Sequence, residues 1–180
     1  MVKALIEFLS GSGGYKVANA VMMKGAWLCC VIGGAAYGSA ALILMFAMSI
    51  WRREFFQDLP FVLLLGGIGL CLDTLWMYTG ILDYGQAVIS LPMGITLAPS
   101  WIVMLWLAVG LSIRHSLYFL VNRPLLGALL VGCGSPLSYL TGERFGAVVI
   151  PSVEGMAILA AVWFALFYIV FTRAKTQLTA

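Results

Sequence analysis

The stretch from Leu59 to Gly80 constrains the fold most, because it is apolar for nearly its whole length and yet contains Asp73. About twenty apolar residues wound as a helix match the hydrocarbon thickness of a bilayer. A carboxylate inside such a span is costly, so it normally faces protein or water and not lipid. The stretch therefore predicts a membrane-spanning helix whose acidic face packs against other helices.

The composition extends this prediction to the whole chain. Of the 180 residues, 63% are hydrophobic and 9% are charged, whereas a soluble domain has roughly 25% charged residues. Continuous apolar runs argue against a β-barrel, whose strands alternate in polarity. We therefore predict a single all-α integral membrane domain over residues 1–180. The net charge of +3 does not indicate nucleic-acid binding, because the basic residues are scattered at span ends.

The first apolar region, from Val17 to Trp51, is too long for one crossing. As a single helix it would measure about 52 Å, against roughly 30 Å of hydrocarbon. We expect it to fold back between Gly33 and Gly38, because glycine punctuates helices. The chain then has six transmembrane helices in three hairpins, with spans near residues 17–35, 38–52, 60–80, 98–118, 124–141 and 147–172.

Positive charge is segregated by this topology, which places both termini in the cytoplasm. Arg144 is the one basic residue outside the spans on the opposite side. An interfacial N-terminal segment over residues 1–16 is predicted to lie on the membrane surface. The cytoplasmic side would hold Lys3, Lys16, Arg52, Arg53, Arg114, Arg123, Arg173 and Lys175.

The connection over residues 82–98 is apolar, and Pro92 and Pro99 discourage a continuous helix there. Irregular backbone at membrane depth must be buried in protein or line a wet cavity. Two interpretations stay open at this point. The connection is either an interfacial or partly re-entrant segment on the outer side, or an ordinary loop resting on the headgroups.

Asp73 is the leading candidate for a functional residue. Its candidate partner is Lys24, the one basic residue deep in a predicted span. Three interpretations stay open: a structural Lys24–Asp73 ion pair, a proton or substrate site, or two groups that reach water separately. Trp76 follows Asp73 by three positions on the same helix face, and we expect it to line the same cavity together with Trp101 and Ser138.

Arg114 and His115 end the predicted fourth span on its cytoplasmic side. They are either interface anchors or donors to a phosphate or carboxylate headgroup. His115 is the only histidine, and the cysteines, all in apolar runs, form no CxxC pair, so we expect no metal site and no cofactor. No common catalytic motif occurs, which leaves the question of enzymatic activity open. The cysteines are Cys29, Cys30, Cys71 and Cys133.

Landmarks on four of the predicted spans agree in order and spacing with a known family. Together they resemble the domain-of-unknown-function family 2878, small polytopic inner-membrane proteins of proteobacteria, over nearly the whole chain. Lys24 departs from the family pattern, which has a neutral glutamine there. The landmarks are Asn19, Lys24-Gly25-Ala26-Trp27, Gly69, Leu72-Asp73, Leu97-Ala98-Pro99-Ser100-Trp101, Leu105-Trp106, His115-Ser116-Leu117, Arg123-Pro124-Leu125 and Gly134-Ser135-Pro136-Leu137-Ser138-Tyr139.

The resemblance implies a multi-pass protein of the bacterial inner membrane whose relatives lie beside lipid-modification enzymes in genomes. We accordingly expect a protein that binds membrane lipid or an apolar small molecule and assists a membrane-lipid enzyme. Two alternatives stay open. One is a small proton-coupled transporter, acting as a homodimer, and the other is a membrane enzyme that acts on lipid chains with Asp73 or His115 as the base.

Overall fold

The computed structural model describes residue 7 and residues 9–179 of the chain. A short β-hairpin lies between the second and third helices, with β1 over Ile89–Ser90 and β2 over Thr96–Leu97. Of the predicted interfacial segment over residues 1–16, residues 1–6 and 8 lie outside the described residues. The helices are α1 (Ser12–Trp51), α2 (Phe55–Tyr78), α3 (Ser100–Gly110), α4 (Tyr118–Val121), α5 (Pro124–Arg144) and α6 (Val153–Thr179).

The helix lengths confirm the class of α-helical membrane protein. Within the described residues, four helices are long and apolar enough to cross a membrane, namely α1, α2, α5 and α6, while α3 is apolar but shorter. The predicted total of six spans requires α1 to cross twice and α3 to cross with its flanking residues. That total, like the position of the termini, stays a prediction.

Helix α1 is two helical arms joined at Gly34, whose backbone angles are φ 57° and ψ −145°. The guanidinium of Arg52, just after α1, donates from Nη1 to the carbonyl oxygens of Leu9 and Ser10 at 3.1 and 2.8 Å. A straight helix of this length would hold its ends about 60 Å apart. The chain therefore folds back at Gly34, which confirms the predicted break between Gly33 and Gly38.

The chain divides into two compact units, and the first contains residues 1–69 and 100–118. Helices α1 and α3 pack against each other in this unit. A Cβ at Gly110 would lie 2.6 Å from the Cα of Val62, so the backbones of α2 and α3 approach as closely as glycine allows. The prediction of a single domain is not tested by this division. The buried apolar core of the first unit consists of Ala26, Leu42, Met45, Val62, Ala108 and Leu111.

The predicted span near 98–118 is helical only over Ser100–Gly110. The Ser112 hydroxyl donates to the Ala108 carbonyl at 2.8 Å, a local bond that competes with helical geometry. Further along, the amides of His115 and Leu117 both donate to the carbonyl of Ser112, which lies three and five residues before them. Residues 111–117 therefore form turns, and their side chains do not follow the spacing of a continuous helix.

The second unit contains residues 70–99 and 119–180. Its helices α5 and α6 run antiparallel, because Gly127 lies against Phe171 and Gly132 lies against Phe164. Asp83, after α2, forms a backbone bridge with Val149 before α6, with N···O distances of 3.0 and 2.7 Å.

The connection over residues 82–98 contains the β-hairpin, which was not predicted from the sequence. Ile89 pairs with Leu97 and Ser90 pairs with Thr96. The turn between the strands holds Met93 at φ 66° and Gly94 at φ 74°. The expectation of a connection without a continuous helix is confirmed, since its helical parts are two single 3₁₀ turns.

Candidate functional site

Asp73 lies on α2 in the second unit, and its side chain is completely buried. The hydroxyl of Tyr84, in the connection after α2, donates to Asp73 Oδ1 at 2.6 Å. The hydroxyl of Tyr139, on α5, donates to the same oxygen at 3.2 Å, and Tyr139 is in turn hydrogen-bonded to Trp163 on α6. Four separate segments of the second unit thus meet at this carboxylate, which we call the Asp73 cluster. Its burial confirms that the acid of this span faces protein.

The phenol of Tyr84 is held in its neutral form. Burial, followed by the neighbouring Tyr139 and the Asp73 carboxylate, raises the pKa of Tyr84 well above its ordinary value of 10.0. A protonated phenol donates to a carboxylate, whereas a phenolate would repel it. Tyr84 therefore serves as a permanent donor to Asp73 at neutral pH.

Trp76 lies one helical turn beyond Asp73 and is 5% exposed. Its indole Nε1 is buried and has no hydrogen-bond partner among the described residues. Leaving a buried donor unsatisfied costs about 1–3 kcal/mol, so this N–H group is available to an acceptor oxygen. Because residues three apart share a helix face, the indole and the Asp73 carboxylate both belong to the buried face of α2.

The other predicted members of this site are distributed over both units. Ser138 precedes Tyr139 on α5 in the second unit and is exposed. Lys24 is exposed on α1, and Trp101 is buried on α3, both in the first unit. The Lys24–Asp73 ion pair and the contribution of Trp101 to the cavity stay predictions. Tyr84 and Tyr139 were missed as site residues, although tyrosine is among the residues able to donate to a buried carboxylate.

A second buried aspartate, Asp58, lies in the first turn of α2 in the first unit and is also completely buried. The Ser49 hydroxyl donates to Asp58 Oδ2 at 2.6 Å, and Arg114 Nη1 donates to Oδ1 at 2.9 Å. His115 Nε2 lies 3.1 Å from both carboxylate oxygens. The turns of residues 111–117 bring Arg114 and His115 to this carboxylate, and we call the set the Asp58 cluster.

Charged groups surround the Asp58 cluster. Glu54 Oε2 lies 3.5 Å from His115 Nδ1, and Glu54 Oε1 lies 3.1 Å from Arg52 Nη2. The ring of Tyr15 stands edge-on to His115 at 4.7 Å and carries the Arg52 guanidinium over its face at 4.5 Å. Two arginines therefore balance two carboxylates around the imidazole, and Arg114 is also hydrogen-bonded to Gln57.

The hydrogen bonds of the Asp58 cluster do not activate Ser49 as a nucleophile. Ser49 donates to the carboxylate itself, and both ring nitrogens of His115 face carboxylates. A serine is activated when its hydroxyl donates a hydrogen bond to the histidine that acts as its base. Headgroup binding by Arg114 and His115 stays a prediction, and His115 is only 4% exposed. Asp58 itself was missed as a site residue, although it lies on the same predicted side of the membrane as Arg114 and His115 and carries the opposite charge.

The apolar helices and their two buried aspartate clusters define a multi-helix membrane protein with ionisable groups in its interior. The chain belongs to the family described as Protein of unknown function (DUF2878), whose model matches residues 16–169. This membership confirms the family resemblance of the sequence landmarks. No curated protein and no solved structure matches the chain.

Proposed function

We propose that this protein binds a lipid or an apolar small molecule at the Asp73 cluster, within a bacterial inner membrane. The observation that carries the proposal is the buried indole N–H of Trp76, one helical turn from the buried Asp73 carboxylate, for which the described part of the chain supplies no acceptor. Ligand sites are mostly apolar and use a few placed polar groups to fix orientation. A lipid hydroxyl or ester carbonyl supplies the acceptor oxygen that the indole requires.

The proposed ligand has an apolar body and a small polar group. The indole N–H of Trp76 recognises a neutral oxygen group by hydrogen bonding, and α2, α5 and α6 each contain a long apolar stretch. We also propose an accessory role in membrane-lipid modification, which is what the family resemblance implies. A deletion strain tests that role, because it should have an altered lipid composition relative to the wild type.

The experiment for binding is native mass spectrometry of the protein released from a mild detergent. We expect the wild type to retain a lipid-sized adduct and Trp76→Phe to retain about tenfold less, because a lost hydrogen bond of about 1.4 kcal/mol corresponds to tenfold in affinity. Trp51→Phe is the matched control, since Trp51 is 50% exposed. Absence of any adduct from the wild type, or unchanged retention in both Trp76→Phe and Asp73→Asn, would contradict the proposal.

The proposed topology has six spans in three hairpins with both termini in the cytoplasm. Two features support it: the reversal of α1 at Gly34, and arms of about 33 and 26 Å at 1.5 Å per residue, which match a bilayer core. Reporter fusions provide the test. Alkaline phosphatase fused after Gly146 should be active, and a fluorescent protein fused after Arg123 should fold and fluoresce; the opposite pattern would refute this orientation.

A proton-coupled transporter acting as a homodimer is the second candidate. It is supported by the presence of two completely buried carboxylates, Asp58 and Asp73, on the single helix α2. Intramembrane acids commonly mark proton pathways. Proteoliposomes that contain a pH-sensitive dye should then acidify faster than protein-free vesicles when a pH gradient is imposed, and Asp73→Asn should abolish the difference. Equal rates in both vesicles would remove this candidate.

A further inference from the structure

The tip of the β-hairpin, residues 91–95, is an exposed apolar surface of the second unit. Three of its side chains are open to the surroundings: Leu91 at 42%, Met93 at 94% and Ile95 at 44% exposure. The turn is closed by a hydrogen bond from the Leu91 amide to the Ile95 carbonyl at 2.8 Å. The tip is therefore a defined turn that presents large apolar side chains outward.

The hairpin is attached directly to the end of α2. The hydroxyl of Tyr78 accepts a hydrogen bond from the Thr96 amide at 3.2 Å, and the Thr74 hydroxyl accepts one from the Ala98 amide at 3.0 Å. The outer face of α2 at this end exposes Leu75 at 48% and Tyr78 at 63%. Because α2 is long and apolar enough to span a membrane, this exposed face meets lipid, and the hairpin continues it.

The charge of the segment argues for a lipid partner and against a soluble one. Residues 84–113 contain no Asp, Glu, Lys, Arg or His. Turns that face water are built from polar residues and glycine, whereas this turn places Met93 at its most exposed position. Tyrosine and tryptophan are enriched at the membrane–water interface, and Tyr78 holds the hairpin at the corresponding end of α2.

The backbone sets the depth of the hairpin. On β2 the outward amide of Thr96 is satisfied by the Tyr78 hydroxyl, but the outer edge of β1 has no further strand beside it in this two-stranded sheet. Unpaired amides and carbonyls cost several kcal/mol each in hydrocarbon. The strands therefore belong in the hydrated headgroup layer. We propose that the hairpin is an interfacial anchor, with the side chains of Leu91, Met93 and Ile95 inserted among the acyl chains of the bilayer that surrounds α2.

Spin labelling tests this anchor in the full chain. A label at Met93→Cys, in a variant whose native cysteines are replaced by alanine, is reconstituted into phosphatidylethanolamine and phosphatidylglycerol vesicles. We expect it to collide with oxygen severalfold more often, relative to a water-soluble nickel chelate, than a label at Gln86→Cys. Gln86 is the control because it is exposed in the same connection but lies outside the hairpin. Equal access of the chelate to both labels would overturn the proposal.

A second measurement keeps all four native cysteines. A photoreactive benzophenone side chain introduced at position 93 should form a covalent adduct with phospholipid on illumination in vesicles or cells, and the same group at position 86 should not. Detection by mass spectrometry separates the outcomes. A phospholipid adduct at position 93 supports the anchor, whereas a protein adduct there, or no adduct at all, overturns it.

Discussion

The two buried aspartates of α2 are equally inaccessible to solvent but are stabilised in different ways. Asp58, in the first unit, meets the Arg114 guanidinium, the His115 ring and the Ser49 hydroxyl. Asp73, in the second unit, accepts hydrogen bonds from two phenols. The first carboxylate is thus in contact with groups that can carry opposite charge, and the second accepts at least these two hydrogen bonds from neutral donors.

The comparison shows why burial alone does not identify a binding site. In the Asp58 cluster, the arginine, the histidine and the serine are all engaged with carboxylates, so the groups neutralise one another and join the turns after α3 to the start of α2. Beside the Asp73 cluster, the Trp76 indole still has a hydrogen to donate. We therefore propose a structural role for the first cluster and ligand binding for the second.

The largest expected effect is that of Asp58→Asn on stability. Removing one partner of a buried ion pair leaves the other charge uncompensated, so we expect the free energy of unfolding to fall by about 3 kcal/mol. Unfolding in mixed detergent micelles, followed by circular dichroism, measures it. Glu154→Gln is the control, because Glu154 is exposed. A loss no larger than that of the control would show that the Asp58 cluster does not hold the fold.

A double-mutant cycle sharpens the assignment by measuring the ion pair itself. Asp58→Asn, Arg114→Gln and their combination should give a coupling energy of about 2 kcal/mol, because the groups are in direct contact at 2.9 Å. The same cycle on Asp58 and Lys24, which is exposed in the same unit, should give a coupling near zero. Additive effects for Asp58 and Arg114 would remove the argument that charge balance stabilises this cluster.

The two phenols of the Asp73 cluster should differ from each other. Tyr84→Phe removes the shorter bond, 2.6 Å against 3.2 Å for Tyr139. We expect a loss of about 1.5 kcal/mol for Tyr84→Phe, at the lower end of the range for hydrogen bonds to charged groups, and of about 1 kcal/mol for Tyr139→Phe, which is typical of an ordinary hydrogen bond. Both losses are below that expected for Asp58→Asn. The same unfolding assay measures both. Losses above that of Asp58→Asn would reverse the structural and binding roles.

The membrane class, the reversal of α1 and the burial of Asp73 were predictable from the sequence, because each depends on local composition. Each of these features can be recognised from a few adjacent positions. The signals are a run of apolar residues, a glycine cluster in an overlong span, and the cost of an acid in lipid. The family was predictable from landmarks whose order and spacing extend over most of the chain. The boundaries were less accurate. The sixth predicted span was placed from residue 147, whereas α6 begins at Val153.

The partners of the two aspartates were not predictable, because they depend on contacts between distant parts of the chain. Tyr139 lies 66 positions after Asp73, and Arg114 lies 56 positions after Asp58. Leu111 and Ile113 favoured a continuous helix. The hydrogen bond from the Ser112 hydroxyl to the Ala108 carbonyl could not be predicted from this composition. The hairpin was the one missed element with a local signal, since Pro92 and Gly94 lie between two short runs that contain β-branched residues.

The smallest expected effect concerns alkaline pH and separates the two clusters by their chemistry. Because the pKa of Tyr84 is raised in the folded protein, its contribution to stability is complete below about pH 10, the unfolded value, and is lost as the pH rises toward the folded value. The stability advantage of the wild type over Tyr84→Phe should therefore shrink by about 0.8 kcal/mol between pH 8 and pH 10.5. Tyr37→Phe is the control, since Tyr37 is 63% exposed. A constant advantage across this range would mean that the Tyr84 hydroxyl reaches solvent in the folded protein, and the Asp73 cluster would then be a wet site.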